Sequence, residues 1–213
     1  MNKLRLTEIF FSLQGETKTV GLPTVFIRLT GCPLRCQYCD TAYAFHGGQW
    51  FTLEDILTEV KKYHTRYVTV TGGEPLAQKA CLSLLTQLCD AGYEVSLETS
   101  GALDVAEVDQ RVIKVIDIKT PGSQEGDKNR WDNLNYLLPH DQIKFVICDR
   151  IDYDWAQQII QQHQLTDRCH VLFSPSYQQI QAGELADWIL NDQLSVRLQI
   201  QLHKYLWGDV AGR

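Results

Sequence analysis

The stretch Val25-Phe26-Ile27-Arg28-Leu29-Thr30 runs directly into Gly31-Cys32-Pro33-Leu34-Arg35-Cys36-Gln37-Tyr38-Cys39-Asp40-Thr41. The first half is an apolar run of strand length. Side chains alternate between the faces of a strand, so Val25, Ile27 and Leu29 share one face and Arg28 points the other way. The second half gathers three cysteines into one short loop with the spacing C-x-x-x-C-x-x-C.

Working outward, strand-length apolar runs recur at Leu4–Ile9, Tyr67–Thr71, Glu94–Glu98, Val112–Lys119, Ile143–Ile147, His170–Phe173 and Val196–Leu202. Helical patterns lie between them, the signature of an α/β fold with a largely parallel sheet. Thr52 with Asp55 predicts a capped helix start, after which Leu53, Ile56, Leu57 and Val60 fall on one face. Cys81, Leu84, Leu85 and Leu88 repeat that spacing and end at Ala91-Gly92. Weaker helices are predicted over Tyr153–His163 and Glu184–Leu190, and Thr120–Asn133 forms a long polar loop of functional character.

Several strands carry polar residues on one face. Ser96 and Glu98 lie opposite Val95 and Leu97, Asp117 and Lys119 share a face, and Gln199, Gln201 and His203 share another. A parallel strand packed on both sides is apolar on both. The pattern therefore predicts that one side of the sheet lines a wet cavity.

The chain has 213 residues, 44% of them hydrophobic, enough to bury the core of a single domain over residues 1–213. Its formal net charge of -6 excludes a broad nucleic-acid footprint or a basic membrane surface. The N-terminus alternates polar and apolar residues, and no stretch reaches the length of a membrane span, so a cytoplasmic protein is expected. Seven cysteines are an odd number for a disulfide framework. Cys81, Cys89, Cys148 and Cys169 sit in apolar runs and are expected to be core thiols.

The triplet Cys32, Cys36 and Cys39 can hold three corners of a cubane iron–sulfur cluster. Such clusters usually have four cysteine ligands; a missing fourth leaves one iron open, which marks a catalytic centre. The alternative is zinc, with His46 as a distant fourth ligand, in a non-catalytic interaction module.

The loop resembles the cluster motif of the radical S-adenosylmethionine enzymes, including the aromatic Tyr38 before the last cysteine. Val70-Thr71-Gly72-Gly73-Glu74-Pro75 resembles the glycine-rich segment that receives the methionine end of the cofactor, with Glu74 or exposed carbonyls as acceptors for its ammonium. Glu8-Ile9-Phe10-Phe11-Ser12-Leu13-Gln14-Gly15-Glu16, Phe26-Ile27-Arg28-Leu29, Leu97-Glu98-Thr99-Ser100-Gly101 and Leu202-His203-Lys204-Tyr205-Leu206-Trp207-Gly208 extend the likeness. Together they resemble the 7-carboxy-7-deazaguanine synthase family. A glycyl-radical activating enzyme is the alternative within the superfamily.

The resemblance implies a partial, open parallel β/α barrel. It implies conversion of 6-carboxy-5,6,7,8-tetrahydropterin to 7-carboxy-7-deazaguanine with loss of ammonia, a step toward queuosine and other deazapurines. It implies a 4Fe-4S cluster on Cys32, Cys36 and Cys39, S-adenosyl-L-methionine, and Mg2+ at Thr41. The pterin would lie against Leu13, Gln14, Gly15, Glu16, Arg28 and Thr71, with Arg28 on the carboxylate. The cofactor would meet Tyr38, Asp40, Gly73, Glu74, Asp117, Lys119 and Ser174. The chain departs from many relatives at Asp117-Ile118-Lys119, where they have Ser-Pro-Lys, at Ser174-Pro175, where they have Gln-Pro, and at Thr17, which replaces a glycine. A homodimer and a flavodoxin-like or ferredoxin-like electron donor are further implications.

Overall fold

A computed structural model describes residues 3–208, 210 and 212. The remaining termini of the expected 1–213 domain lie outside these residues. Nine strands form one sheet in the order β3-β1-β2-β4-β5-β6-β7-β8-β9. β1 (Lys3–Leu13) is antiparallel to both β2 (Pro23–Leu29) and β3 (Gln49–Thr52). From β2 onward the sheet is parallel: β4 (Tyr67–Gly72), β5 (Glu94–Thr99), β6 (Ile113–Asp117), β7 (Gln142–Ile147), β8 (His170–Pro175) and β9 (Arg197–Leu198). This is the open barrel of parallel strands that the sequence led us to expect, with an antiparallel flank added at one edge.

Helices cover the outer face. α1 (Leu53–Val60) starts at the predicted Thr52–Asp55 capping box, with reciprocal bonds between side chain and backbone. α2 (Ala80–Asp90) buries Cys81, Leu84, Leu85 and Leu88 and stops at Gly92, whose φ of 88° favours glycine. α3 (Arg150–His163) begins three residues before the predicted start, because Asp149 caps it by accepting from the backbone N–H of Asp152. α4 (Ala182–Asn191) buries Leu185 and Ile189. The odd-numbered residues of β2 and β5 and the even-numbered residues of β4 supply the other half of this core, with Val25, Ile27, Leu29, Val68, Val70, Val95 and Leu97 buried under the helices.

Two parts of the sequence reading are corrected here. The strand expected over Val196–Leu202 shrinks to Arg197–Leu198, and Leu202–Trp207 is a helix, α5. The chain leaves the sheet because the backbone N–H of Gln199 bonds to Phe173 O and that of Leu202 to Gly15 O, turning it across the loop after β1. The Thr120–Asn133 segment is a chain of short 3-10 turns rather than open loop. Asp152 pins its start through Thr120 Oγ1 and Gly122 N–H, and Asn133 pins its end through Gly101 O and Leu103 O. Among the described residues no helix is long and apolar enough to cross a membrane.

Candidate active site

The carboxyl ends of the parallel strands all open on the same side, where α/β sheets place their sites. The cysteine loop follows β2, Gly73 follows β4, Ser100 follows β5, Lys119 lies beyond β6, and Ser174 is the last residue but one of β8. They line one open cavity, together with Cys32, Cys36, Cys39, Tyr38, Asp40 and Thr41. A second cavity adjoins it and is lined by Phe10, Leu13, Gln14, Gly15, Phe26, Arg28 and His203. Glu16, Asp40, Thr41, Thr71, Glu98 and Lys204 border both.

Close backbone approach builds the first cavity. A Cβ on Gly73 would stand 2.3 Å from Gly31 O and 2.8 Å from Cys32 Cβ, so only glycine lets the two loops meet. The cysteine loop is also tied from outside: Gln37 and Gln179 exchange amide bonds of 3.2 and 3.0 Å, and Gln37 N–H donates to Ser123 O. Burial pushes all three thiols up, Cys36 to about 11, so a metal group would bind here by replacing their protons.

The zinc alternative needs His46 as its fourth ligand. His46 is exposed and does not line the cavity. Tyr38, Asp117 and Ser174 also line the cavity, and their buried Oη, Oδ1 and Oγ atoms have no protein partner, which suits a polar ligand beside the cysteines.

The predicted site residues are brought together with one exception, Glu74, and one expected core thiol, Cys148, lies outside the core. Glu74 is fully buried and turned away; its carboxylate accepts from Thr99 Oγ1, from Ser100 N–H and Oγ, and from Leu76 N–H. It ties the ends of β4 and β5 together, and the cavity wall at this point is Gly72, Gly73, Thr99 and Ser100. Cys148 is not a core thiol. It is half-buried at the end of β7 with Sγ 3.7 Å from Gln37 Nε2, and burial, followed by Asp152, pushes it up to about 12. Cys81 and Cys169 are buried as expected, and Cys89 packs against the core.

The inner face of the sheet is a polar network. Gln14 donates to Thr69 Oγ1 at 3.1 Å and to Glu98 at 3.2 Å, Thr69 bonds to Ser96 at 2.8 Å, and Thr71 donates to Glu98 at 3.1 Å. Gln14 thus holds the floor of the second cavity and shapes the turn, with its Oε1 accepting from Glu16 N–H. Lys119 pairs with Asp117 at 2.9 Å, and its Nζ lies 5.9 Å from the Tyr38 ring centroid.

The sequence did not assign Glu98, Lys144, Gln201, His203 or Lys204 to the site. Lys144 pairs with Glu16; burial works to raise the Glu16 carboxyl, and Lys144 with its hydrogen bond outweighs this and lowers it. Burial first, then Glu16, raises the carboxyl of Glu98. Lys204 and Gln201 reach from α5 to Asp40 Oδ2 at 3.0 and 2.9 Å. Burial opposes this ionisation, but Lys204 and the hydrogen bonds hold the Asp40 carboxyl well below its ordinary range. His203 approaches Gly15 so closely that a Cβ there would stand 2.5 Å from Nδ1. Two signals marked this segment: the Leu202 to Gly208 motif of the resemblance, and the polar positions Gln199, Gln201 and His203, which pointed to a strand rather than a helix.

Residues 26–118 match the model of the radical SAM superfamily. The chain is 43% identical to a 7-carboxy-7-deazaguanine synthase of Koribacter versatilis, covering 96% of this chain and 97% of that one. It is 42% identical to that of Chlorobaculum tepidum, covering 98% and 96%. The fold superposes on QueE from Escherichia coli with a TM-score of 0.79 at 22% identity, covering 94% and 95% of the two chains. It also superposes on SuiB of Streptococcus suis with a TM-score of 0.56 at 13% identity, covering 80% of this chain and 45% of that one. With this similarity along the whole chain and the cysteine loop in its cavity, the protein belongs to the 7-carboxy-7-deazaguanine synthase family of radical S-adenosylmethionine enzymes.

Proposed function

We propose that the protein, acting as one domain over residues 1–213, converts 6-carboxy-5,6,7,8-tetrahydropterin to 7-carboxy-7-deazaguanine with release of ammonia. The observation that carries this is the pair of adjoining cavities, one built on three cysteines and the other on Arg28 set near the rings of Phe10 and Tyr43. Cys32, Cys36 and Cys39 hold the 4Fe-4S cluster. Tyr38, Asp40, Gly73, Asp117, Lys119 and Ser174 hold S-adenosyl-L-methionine. When bound, the reduced cluster and S-adenosyl-L-methionine supply radical hydrogen abstraction.

The protein's own part is positioning. Leu13, Gly15 and Thr71 border the pterin, Gln14 fixes the floor beneath it, and Arg28 takes the carboxylate. Glu16, Asp40 and Thr41 stand where the two cavities meet, so the substrate lies next to the cofactor. Thr41 Oγ1 donates to Asp40 at 2.8 Å, and ligand atoms of Glu16, Asp40 and His203 lie within 4.8 Å of one another. This oxygen-rich corner suits Mg2+, which takes few protein ligands and completes its shell with water and substrate oxygens. Gln201 and Lys204 hold the Asp40 carboxylate in place at the junction through their bonds to Oδ2.

A cytoplasmic location, a homodimer and a flavodoxin-like or ferredoxin-like donor complete the proposal. Anaerobic reconstitution, reduction, and addition of the tetrahydropterin carboxylate with S-adenosyl-L-methionine and Mg2+ should give the deazaguanine acid by mass spectrometry. A reducible cluster that yields none overturns it.

A further inference from the structure

The residue that aims Arg28 is not on the cavity wall. Glu8 lies directly opposite Arg28 in the β1–β2 register, and the pairing shifts between Leu6 and Glu8. Leu4 and Leu6 point into the core under the helices, so without this bulge Glu8 would follow them. The bulge turns Glu8 to the inner face. There its Oε1 accepts from Arg28 Nε at 2.7 Å and from Tyr43 Oη at 2.8 Å. The guanidinium carbon sits 5.6 Å from the Phe10 ring centroid and 5.8 Å from that of Tyr43. Among the described residues Arg28 makes its ion pair through Nε alone, which leaves the Nη end as the bidentate edge.

We propose that Glu8 is the positioning residue for carboxylate recognition: with Tyr43 it locks Arg28 by Nε so that the paired Nη donors face the second cavity. This rests on the substrate reading above. Tyr43 follows Thr41 by two residues in the turn after the cysteine loop, so the same bond ties the carboxylate end of the substrate to the cluster loop. A free arginine samples many rotamers, and fixing it beforehand removes that entropy from the binding step.

The test uses the reconstituted protein with S-adenosyl-L-methionine and Mg2+, titrated by fluorescence with 6-carboxypterin and with pterin lacking the carboxylate. The unaltered protein should prefer the carboxylated ligand. Glu8→Ala should weaken 6-carboxypterin about ten- to hundredfold, the scale of a hydrogen bond to a charged group, and leave pterin unchanged. Glu8→Gln, which keeps an acceptor oxygen, should restore most of the preference. Turnover should show a raised KM with kcat little changed. Tyr43→Phe, which leaves the bulge and the Glu8–Arg28 ion pair in place, should weaken 6-carboxypterin about three- to tenfold, less than Glu8→Ala because only the supporting bond is lost. Undiminished preference in Glu8→Ala and Tyr43→Phe overturns the role of Glu8. Equal loss of both ligands also overturns it, as the mark of a merely structural residue. No preference in the unaltered protein overturns the substrate assignment itself.

Discussion

The two faces of the sheet are made by the same strands and differ in almost every chemical respect. On the outer face Val70, Leu97, Ile143 and Phe173 are sealed under helices. One residue along each strand, Thr71, Glu98, Lys144 and Ser174 line the cavity. The outer face is stabilised by burial of apolar area, roughly 25 cal/mol per Å². The inner face sets its polar groups along the cavity, held by hydrogen bonds and by pairs such as Lys144 with Glu16, and a buried one among them is costly wherever a partner is missing. Lys114 is the exception, a buried charge at the edge of the apolar side, paired to Asp141 at 2.8 Å. The contrast teaches that this sheet separates stability from chemistry chiefly by the period of two, broken in β1 by the bulge before Glu8.

Substitutions on each side should break that separation in opposite ways. The largest effect belongs to Cys36→Ala, which should abolish product formation and the visible absorption of a reconstituted cluster. Compared without a cluster in either protein, the melting temperature should hardly move, since Cys36 is only partly buried and packs outside the apolar core. Leu97→Ala, on the outer face, should cost about 2–5 kcal/mol by denaturant unfolding, the range for emptying a buried leucine site. The fraction that stays folded should keep its kcat.

Glu98→Gln, the next residue on the opposite face, should have the smallest effect on stability, and in the reverse direction. Burial and Glu16 raise its folded-state carboxyl above the ordinary value of 4.5. The native state is therefore penalised at pH values above the folded value, where the group is ionised in both states. That penalty fades as pH falls to 4.5 and below. The variant should melt higher than the unaltered protein at pH 8 and lose that advantage near pH 4, while turning over more slowly. A variant that melts lower at pH 8 would show that the inner face contributes to stability as the outer face does.

Much of this was legible because it is local. The alternation in Val25–Leu29 and Glu94–Glu98 gave both faces, the Thr52–Asp55 pair gave a helix start, and the cysteine spacing gave a metal-binding loop. Glu74 was misplaced because its neighbours in sequence are glycines, whereas its hydrogen-bond donors, Thr99 and Ser100, come from the next strand. Lys144 and Lys204 went unassigned because each meets a carboxylate far away in the chain, 128 and 164 residues from its partner. Cys148 looked like core because its run is apolar, but it falls just past the end of the strand, where burial stops.

The sequence by itself determined which residues share a face, which loop carries the thiols, and that one side of the sheet is wet. These follow from short-range geometry, the strand period and the reach of a few peptide units. Only the tertiary structure decided that α5 folds back over Asp40, that Glu74 turns inward to Thr99 and Ser100, and that a bulge swings Glu8 behind Arg28. Those outcomes depend on where distant donors and acceptors meet, because a buried polar group takes its partner from whatever the fold brings within hydrogen-bond distance.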